Sequence, residues 1–585
     1  DFRSAVDQSI YTTKFKQASL QLDHDFTDNF RAVFIGGMSE STNDTEGTLV
    51  EFNRMDSPGN FVFDARGGGK MPLMDLGFDA ADPNNWDTVK GFSAIRRYLR
   101  YTKNTYKQGK IDFDWRVNPD FSIGFGGNYR EYAFSTRQLE RNNDLLNPTL
   151  REAGTRASAV GQVVDFGQGL DVPEGSLTSF YVPSIAAFDQ LFDFTCNCVN
   201  KWGDWRLTDR RNGGRENFGV LEKDTGVYVQ FDWTSELFGR PFRGNAGTRI
   251  AITDVTSNGT TPAGRGIVGS NRYTDFLPSL NAVFEPVDDL LVRLGASRVM
   301  ARPLLGNLSP SITGLSIPNT GDSVGATLTI GNPRLNPFRS TNLDASIEWY
   351  FAPGGLLSIA GFNKQISSFP QTISFSGPLS QFADAATIEA IRAQITNPAQ
   401  LAYLNANNPF VARQFADAPG GYLRGFELSY QQELDFLPWY FKNLGLQLNY
   451  TYIKSELSYI LDPGRAASGN LAAIPATTGA APFLGVSPQS VNGTLAYETA
   501  KFRARVSVAY RKGYSQTYPI AGGSCAPGLQ NSPANPSVAG TPCDAPLVND
   551  FIFSRDTTNV DASMSYKFTD WLSISAEGLN LTNQP

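Results

Sequence analysis

The segment from Lys110 to Val117 reads Lys-Ile-Asp-Phe-Asp-Trp-Arg-Val, a strict alternation of charged and apolar side chains. Because successive side chains of a strand project to opposite faces, this segment has one apolar face and one ionic face. The alternation recurs at 227–234, 343–351, 446–452 and 502–511. Long two-faced strands in such number predict a wall between lipid and water.

The size and composition of the chain agree with a membrane wall. Its 585 residues exceed the roughly 250–300 that one soluble core supports, and a barrel escapes this limit because its apolar surface faces lipid. Apolar residues make up 41% of the chain and charged residues only 18%, which fits a large contact with hydrocarbon. The sequence has no run of about 18 apolar residues, so it predicts spanning strands and no spanning helix.

Period-2 runs predict about sixteen strands. Their spans are 14–24, 30–39, 106–117, 121–134, 225–234, 247–255, 273–285, 289–299, 341–351, 356–367, 421–432, 445–455, 488–498, 502–512, 557–567 and 572–581. Short connections rich in Asp, Asn, Pro and Gly alternate with long segments such as 40–105 and 135–224. This asymmetry predicts an all-β fold, a transmembrane antiparallel β-barrel with short periplasmic turns and long extracellular loops.

The positions of aromatic and charged residues also agree with a transmembrane barrel. Aromatic side chains concentrate near the predicted strand ends, as interfacial girdles do, at Trp115, Trp233, Trp349, Tyr350, Phe351, Tyr450, Tyr452, Tyr510, Tyr566 and Trp571. The charged residues predicted to point into the lumen are Asp112, Asp114, Asp344, Glu348, Arg503, Arg505 and Arg511. A barrel of this width leaves a lumen that side chains do not fill, so water or a plug occupies it.

Two loop segments have the residue spacing of helices. They lie at 185–194 and 380–405, and in the second Asp384 is a predicted N-terminal cap and Pro398 a predicted stop. We expect each helix to pack its loop against the barrel mouth rather than to contact a ligand.

Charge and cysteines restrict the partners and the compartment. A net charge of −7 without a basic block argues against nucleic acid as a partner. Cys525 and Cys543 flank a segment rich in Gly, Pro, Asn and Ser, which predicts a loop closed by a disulfide in an oxidising compartment. Cys196 and Cys198 leave two interpretations open, a tight local disulfide or pairing elsewhere. No metal is expected there, because the single histidine, His24, is far away in the sequence.

No pattern of catalytic residues stands out. The segment Arg66–Lys70 (Arg-Gly-Gly-Gly-Lys) resembles a phosphate-binding loop, but it lacks the terminal Ser or Thr and the strand–loop–helix context. Paired acids such as Asp112 and Asp114 lie two apart on one strand and face one lumen, which favours a structural role. We therefore expect neither enzyme activity nor a cofactor.

Several segments, most of them after residue 250, share their order and spacing with a known family. They are Tyr273–Asn281 (YTDFLPSLN), Arg298–Pro303 (RVMARP), Gly331–Pro337 (GNPRLNP), Gly361–Lys364 (GFNK), Gly425–Tyr430 (GFELSY), Leu448–Tyr452 (LNYTY) and Glu577–Thr582 (EGLNLT). Together they resemble TonB-dependent outer-membrane receptors, specifically the large proteobacterial group typical of Caulobacter- and Xanthomonas-type genomes. The first 250 residues match this family by pattern more than by motif.

The resemblance implies a 22-stranded barrel with an N-terminal plug domain and a TonB box. Nothing in this sequence resembles the plug, the box or the usual final strand. We therefore expect residues 1–585 to be a barrel domain truncated at both ends, without strands 1–5 and strand 22.

The resemblance also implies a function. A monomeric barrel in the outer-membrane lipid of a Gram-negative bacterium imports a scarce ligand, driven by the TonB complex through the missing N-terminal region. An oligosaccharide is the first expectation for the ligand and a ferric siderophore the second. A passive porin-like channel is the alternative from another class.

Loop tryptophans are the candidate ligand contacts. Sugar sites combine aromatic platforms with planar polar groups, because sugar C–H faces stack on rings while hydroxyls need hydrogen-bond partners. Trp202, Asp204, Trp205 and Arg206 supply this mixture in one long loop, and Trp86 lies in a similar setting. The competing interpretation is that loop tryptophans pack loops together. Haem is disfavoured, because the only histidine lies beside a short turn on the presumed periplasmic side.

Overall fold

Sixteen long antiparallel strands, each paired with the next along the chain, form one wall. The computed structural model describes residues 2–56, 59–66, 71–141, 143–170, 172–209, 217–260, 266–317, 326–395, 397–462, 477–516 and 553–584. The wall strands are β1 Phe2–Thr27, β2 Phe30–Arg54, β3 Ile95–Asn118, β4 Phe121–Arg141, β5 Phe218–Leu237, β6 Arg240–Thr260, β7 Gly266–Val287, β8 Leu290–Ala301, β9 Phe338–Ala352, β10 Gly355–Pro378, β11 Pro409–Glu433, β12 Leu444–Asp462, β13 Gln489–Glu498, β14 Phe502–Arg511, β15 Thr557–Lys567 and β16 Ser573–Gly578.

Shorter elements occupy the long connections. The α-helices are α1 Ile185–Phe192, α2 Ala385–Gln394 and α3 Pro398–Asn405, and none of the helices described is long and apolar enough to cross a membrane. The 3-10 turns are Pro83–Asn85, Ala157–Ala159, Leu305–Leu308, Leu379–Gln381 and Trp439–Asn443. The short strands are Val62–Asp64, Leu73–Asp75, Gly161–Asp165, Ser179–Pro183, Val199–Asn200, Gly203–Asp204, Leu207–Thr208, Ile312–Ser316, Ala326–Ile330 and Thr477–Ala481.

All sixteen predicted strands are present, and several run further than predicted at the extracellular end. For example, β2 was expected over 30–39 and continues to Arg54, paired throughout with β1 and, as far as Val50, with β3. Above the membrane both strand faces meet water or loops, so the alternation fades while the backbone ladder continues. Among the described residues, β16 is not hydrogen-bonded to β1. The additional strands that the resemblance implies stay a prediction.

The register separates a lipid face from a luminal face. On β5, Val227, Phe231 and the other odd-numbered apolar residues point outward, whereas Tyr228 points inward and donates a hydrogen bond of 2.5 Å to Asp112 on β3. In the same way Arg293 pairs with Glu348 at 2.8 Å. The luminal positions predicted for Asp112 and Glu348 are confirmed.

Both predicted helical segments contain helices. Asp384 caps α2, because its carboxylate accepts a hydrogen bond from the Thr387 N–H at 2.8 Å. The helix ends at Gln394, before Pro398, which is itself the first residue of α3. Proline is favoured at that position because its missing N–H is not needed there.

Candidate functional site

The long loops after β2 and β4 fold together into one hydrophobic cluster, here called the aromatic loop core. Its buried members are Val50, Phe52, Ala80, Trp86, Ile95, Leu150, Ala157, Val160, Tyr181, Phe188, Phe192, Phe194 and Trp205. Helix α1 contributes two of these rings, Phe188 and Phe192, because residues four apart share one helix face. Ser184 caps the helix start and Asp193, in the left-handed conformation, ends it.

Two of the predicted ligand contacts lie inside this core. Trp86 is 5% exposed and donates its indole N–H to the Ala80 carbonyl at 2.9 Å. Trp205 is 0% exposed, donates its indole N–H to the Asn200 side chain at 2.9 Å, and lies 4.0 Å below the guanidinium of Arg141. Neither ring has a free face for a sugar in this conformation.

The other three predicted contacts remain partly accessible. Trp202 packs edge-on against Phe192 with ring centroids 5.5 Å apart, and the ammonium of Lys201 lies 4.7 Å from its ring centroid. Asp204 and Arg206 form a two-pronged ion pair at 2.9 and 2.6 Å. The hydrogen bonds from Arg206 lower the pKa of Asp204 to about 2.

The aromatic loop core lies on the outward side of the extended strands. Strand β4 pairs with β3 without a register shift from Ser122 to Glu140. Side chains two residues apart share a face, so Arg141 projects from the face that carries Ile123 and Phe125. The stacking of Trp205 on Arg141 therefore places this loop cluster on the side opposite the lumen.

The sequence analysis treated the four cysteines as two separate pairs. Cys196 and Cys198 form a disulfide with each other, which realises the first of the two open interpretations. The Asp193 carboxylate has an oxygen within 4.8 Å of both sulfurs, but disulfide sulfurs are not thiolate ligands. Cys525 and Cys543 lie outside the described residues.

A second constellation lies on the luminal face near the extracellular ends of β5 and β6, here called the luminal cluster. It consists of Arg130, Glu222, Asp224, Arg249 and Arg302. Arg302, just after β8, pairs with Asp224 at 2.9 Å and with Glu222 at 3.7 Å. Thr253 Oγ1 accepts hydrogen bonds from the Arg302 guanidinium at 3.0 Å and donates one to Asp224 at 2.8 Å.

Burial controls the charge of Glu222. Glu222 lies above the apolar stretch of β5 that ends at Val227, and is therefore outside the membrane span. Burial, and after it the charge of Asp224, raises the pKa of Glu222 to about 7, and Arg302 opposes the shift. Asp224 keeps its ion pair with Arg302 at 2.9 Å. At neutral pH the cluster thus carries less negative charge than its residue types suggest.

The remaining cations of the cluster face open space. Arg130 stands opposite Asp224 in the β4–β5 register, and Arg249 lies over the ring of Tyr228 at 5.2 Å. Together with Asn128 and Arg302 they line a cavity of about 170 Å³. Among the described residues neither Arg130 nor Arg249 has a carboxylate within ion-pair distance.

A larger cavity lies at the extracellular ends of β4, β5 and β6. Its volume is about 760 Å³, and its lining includes Phe134, Phe218, Thr136, Asn217 and Asn258. The two phenylalanine rings are 5.5 Å apart. Aromatic carbon beside amide and hydroxyl groups is the chemistry that the sequence suggested for the loop tryptophans.

Sequence reasoning did not identify the luminal cluster. Its members lie on strands β4, β5 and β6 and after β8, and only the pairing of these strands brings them together on one face. One signal was available, because Arg302 belongs to the segment Arg298–Pro303 that carried the resemblance.

These observations define a class, a large antiparallel barrel wall with a lipid face, a polar lumen and long extracellular loops. The chain belongs to the TonB-dependent receptors, since the family model described as "TonB dependent receptor-like, beta-barrel" matches residues 34–581. Members of this family are transport receptors of the Gram-negative outer membrane that act with TonB on a small-molecule ligand. The protein is accordingly placed in the outer membrane as such a receptor.

The solved structures that are similar in fold have low sequence identity to this chain. The copper transporter OprC is 11% identical, with all of this chain and 74% of that chain covered and a TM-score of 0.44. The FrpB iron transporter from Neisseria meningitidis is 12% identical, with 97% and 68% covered and a TM-score of 0.41. A mutant of the ferric enterobactin receptor PfeA from Pseudomonas aeruginosa is 10% identical, with 100% and 75% covered and a TM-score of 0.36. These likenesses carry no argument about the ligand. The search of curated proteins found no match to this chain.

Proposed function

We propose that this receptor imports an anionic ligand through its lumen, and that a ferric siderophore is the class of ligand. The luminal cluster carries the proposal. Arg130 and Arg249 lack ion-pair partners among the described residues, and the raised pKa of Glu222, about 7, reduces the negative charge beside them at neutral pH. Arginine binds carboxylate and other anionic oxygen atoms in a two-pronged geometry, which an iron chelator with acidic oxygen donors satisfies.

An oligosaccharide is the second candidate. The cavity of about 760 Å³ beside Phe134 and Phe218 favours it, because rings and amides together suit a sugar. Of the residues proposed earlier for this ligand, Trp202, Asp204 and Arg206 stay available, whereas Trp86 and Trp205 are enclosed. The assignment to the Caulobacter- and Xanthomonas-type group is likewise a proposal that rests on the sequence segments.

Calorimetry on the detergent-purified receptor, with panels of ferric siderophores and oligosaccharides, separates the two candidates. We expect binding of an anionic iron complex, weakened about tenfold or more by Arg130→Gln with Arg249→Gln, since each charged hydrogen bond contributes roughly 1.5–3 kcal/mol. The matched control is Arg505→Gln, a luminal arginine on β14 whose guanidinium donates to Ser507 at 3.0 Å. Binding of a neutral oligosaccharide with an unchanged affinity in the double variant contradicts the siderophore proposal.

A further inference from the structure

The outer surface of the wall changes from apolar to charged at one level on β3 to β7. Five outward residues there stand opposite one another in register, here called the charged ladder: Lys107, Glu131, Lys223, Asp254 and Arg272. Each shares a strand face with an exposed apolar residue of the lipid band: Ile111, Phe125, Val227, Ile250 and Phe276. The ladder therefore marks the extracellular edge of the hydrocarbon.

The charged ladder comes close to neutralising itself, since its three cations alternate with two acids and leave a net charge of +1. Its signs alternate from strand to strand, with Lys107 and Glu131 paired at 2.9 Å and Arg272 and Asp254 at 3.4 Å. Lys223 stands between Glu131 and Asp254 in the two registers. Opposite charges across a strand pair attract one another, and every cation of this section has an acid as a cross-strand neighbour.

The section formed by β11 and β12 is different. Arg424 and Lys454 are direct register partners, and both point outward with Leu428 and Tyr450. Both side chains are exposed, and neither forms an ion pair with a described residue. Glu456 lies two residues beyond Lys454 on the same face, outside ion-pair distance. Like charges in directly opposite positions repel, so an anion bound between the two side chains would relieve the repulsion.

Aromatic rings fix the height of this basic pair. Phe426 packs against Tyr452 and Tyr450, with ring centroids 5.6 and 5.9 Å apart, on the membrane side of the pair. On the other side the Arg424 guanidinium lies 4.7 Å from the ring of Tyr422. Tyrosine rings of this kind lie at the membrane–water interface, at the depth of the lipid head groups.

We propose that Arg424 and Lys454 form a docking site for an anionic lipid head group of the outer leaflet. The two cations supply complementary charge at head-group depth, and the Tyr450 and Tyr452 rings supply an apolar surface for the upper part of the acyl chains. The site lies on the outside of the barrel and is independent of the imported ligand. It tethers one lipid to the β11–β12 section, whereas the ladder, whose cations all stand beside acids, binds none.

Native mass spectrometry of the full chain in neutral detergent tests this inference, with bisphosphorylated lipid A as the probe. We expect the Arg424→Gln, Lys454→Gln double variant to bind lipid A about tenfold or more weakly than the wild type, since it removes both cations that attract the anionic head group. The matched control, Lys107→Gln with Arg272→Gln, removes the same charge from the ladder and is expected to bind lipid A as the wild type does.

Three outcomes overturn the inference. The first is equal loss of lipid A in both double variants, which assigns the binding to net charge. The second is displacement of lipid A by inorganic phosphate alone, which assigns the pair to a soluble anion. The third is that the wild-type receptor retains zwitterionic phosphatidylcholine as well as it retains lipid A. Thermal unfolding of each variant, followed by circular dichroism, shows whether the variant is folded, so that a loss of binding is not mistaken for a failure to fold.

Discussion

Arginines in two regions of the molecule show contrasting arrangements. In the aromatic loop core, Arg141 is 3% exposed, lies over Trp205, and donates to the Ile95 carbonyl and the Asn147 side chain at 3.0 and 2.7 Å. In the luminal cluster, Arg130 and Arg249 line a cavity and have no ion-pair partner among the described residues. An arginine that donates to neighbouring backbone and side-chain oxygens holds structure together, whereas one that lines a cavity without an ion-pair partner is available to a ligand.

The largest effect is expected in the aromatic loop core, from Trp205→Ala. Removing a fully buried indole costs roughly 3–5 kcal/mol, so residues 185–205 should lose most of their protection from hydrogen exchange. Ligand affinity should stay unchanged, because the ring faces away from the lumen. The control is Trp202→Ala, whose half-buried ring should give a smaller loss. Weaker ligand binding by Trp205→Ala with an intact loop contradicts the structural role.

An intermediate effect is expected in the luminal cluster, from Glu222→Gln. The pKa of this acid is about 7 in the folded protein and near 4.5 when unfolded, so folding favours its protonated form. Stability attributable to Glu222 is therefore present below pH 4.5 and is lost as the pH rises to about 7. The variant should gain on the order of 2 kcal/mol over the wild type between pH 5 and pH 8.

Thermal unfolding in detergent at these two pH values measures that difference. Asp224, at 2.9 Å from Arg302, keeps the arginine paired in the variant. The matched control is Glu348→Gln, a luminal acid that pairs with Arg293. If the difference in stability between variant and wild type does not change with pH, the raised pKa of Glu222 is contradicted.

The smallest effect is expected at the rim of the aromatic loop core, from Asp204→Asn. The carboxylate pairs with Arg206 and its pKa is lowered to about 2, so its contribution is present above pH 3.8 and is lost as the pH falls towards 2. Both side chains are about half exposed, which limits the loss at neutral pH to less than about 1 kcal/mol. Proteolysis rates of the loop at pH 7 measure it, and a loss as large as that of Trp205→Ala contradicts the exposed character of this pair.

The sequence predicted the membrane wall well because lipid on one face and water on the other impose a period of two. It failed at the strand ends, where β2 continues for fifteen residues beyond residue 39, to Arg54, because both faces there are polar or covered by loops. The residue types of a sugar platform and of a loop core are also the same, so composition did not distinguish a buried Trp205 from an exposed one. Contacts such as Asp224 with Arg302 depend on register between distant segments, which no local pattern encodes.

The unbroken register of β3 to β7 has a consequence for how such a chain can change over generations. An insertion or deletion of a single residue within one of these strands would turn Lys107 or Arg272 towards the lumen and their luminal neighbours towards lipid. Length changes in the wall are therefore tolerated in steps of two residues or at the loops. Diversification of this receptor is accordingly expected in loop length, with the strands drifting by substitution alone.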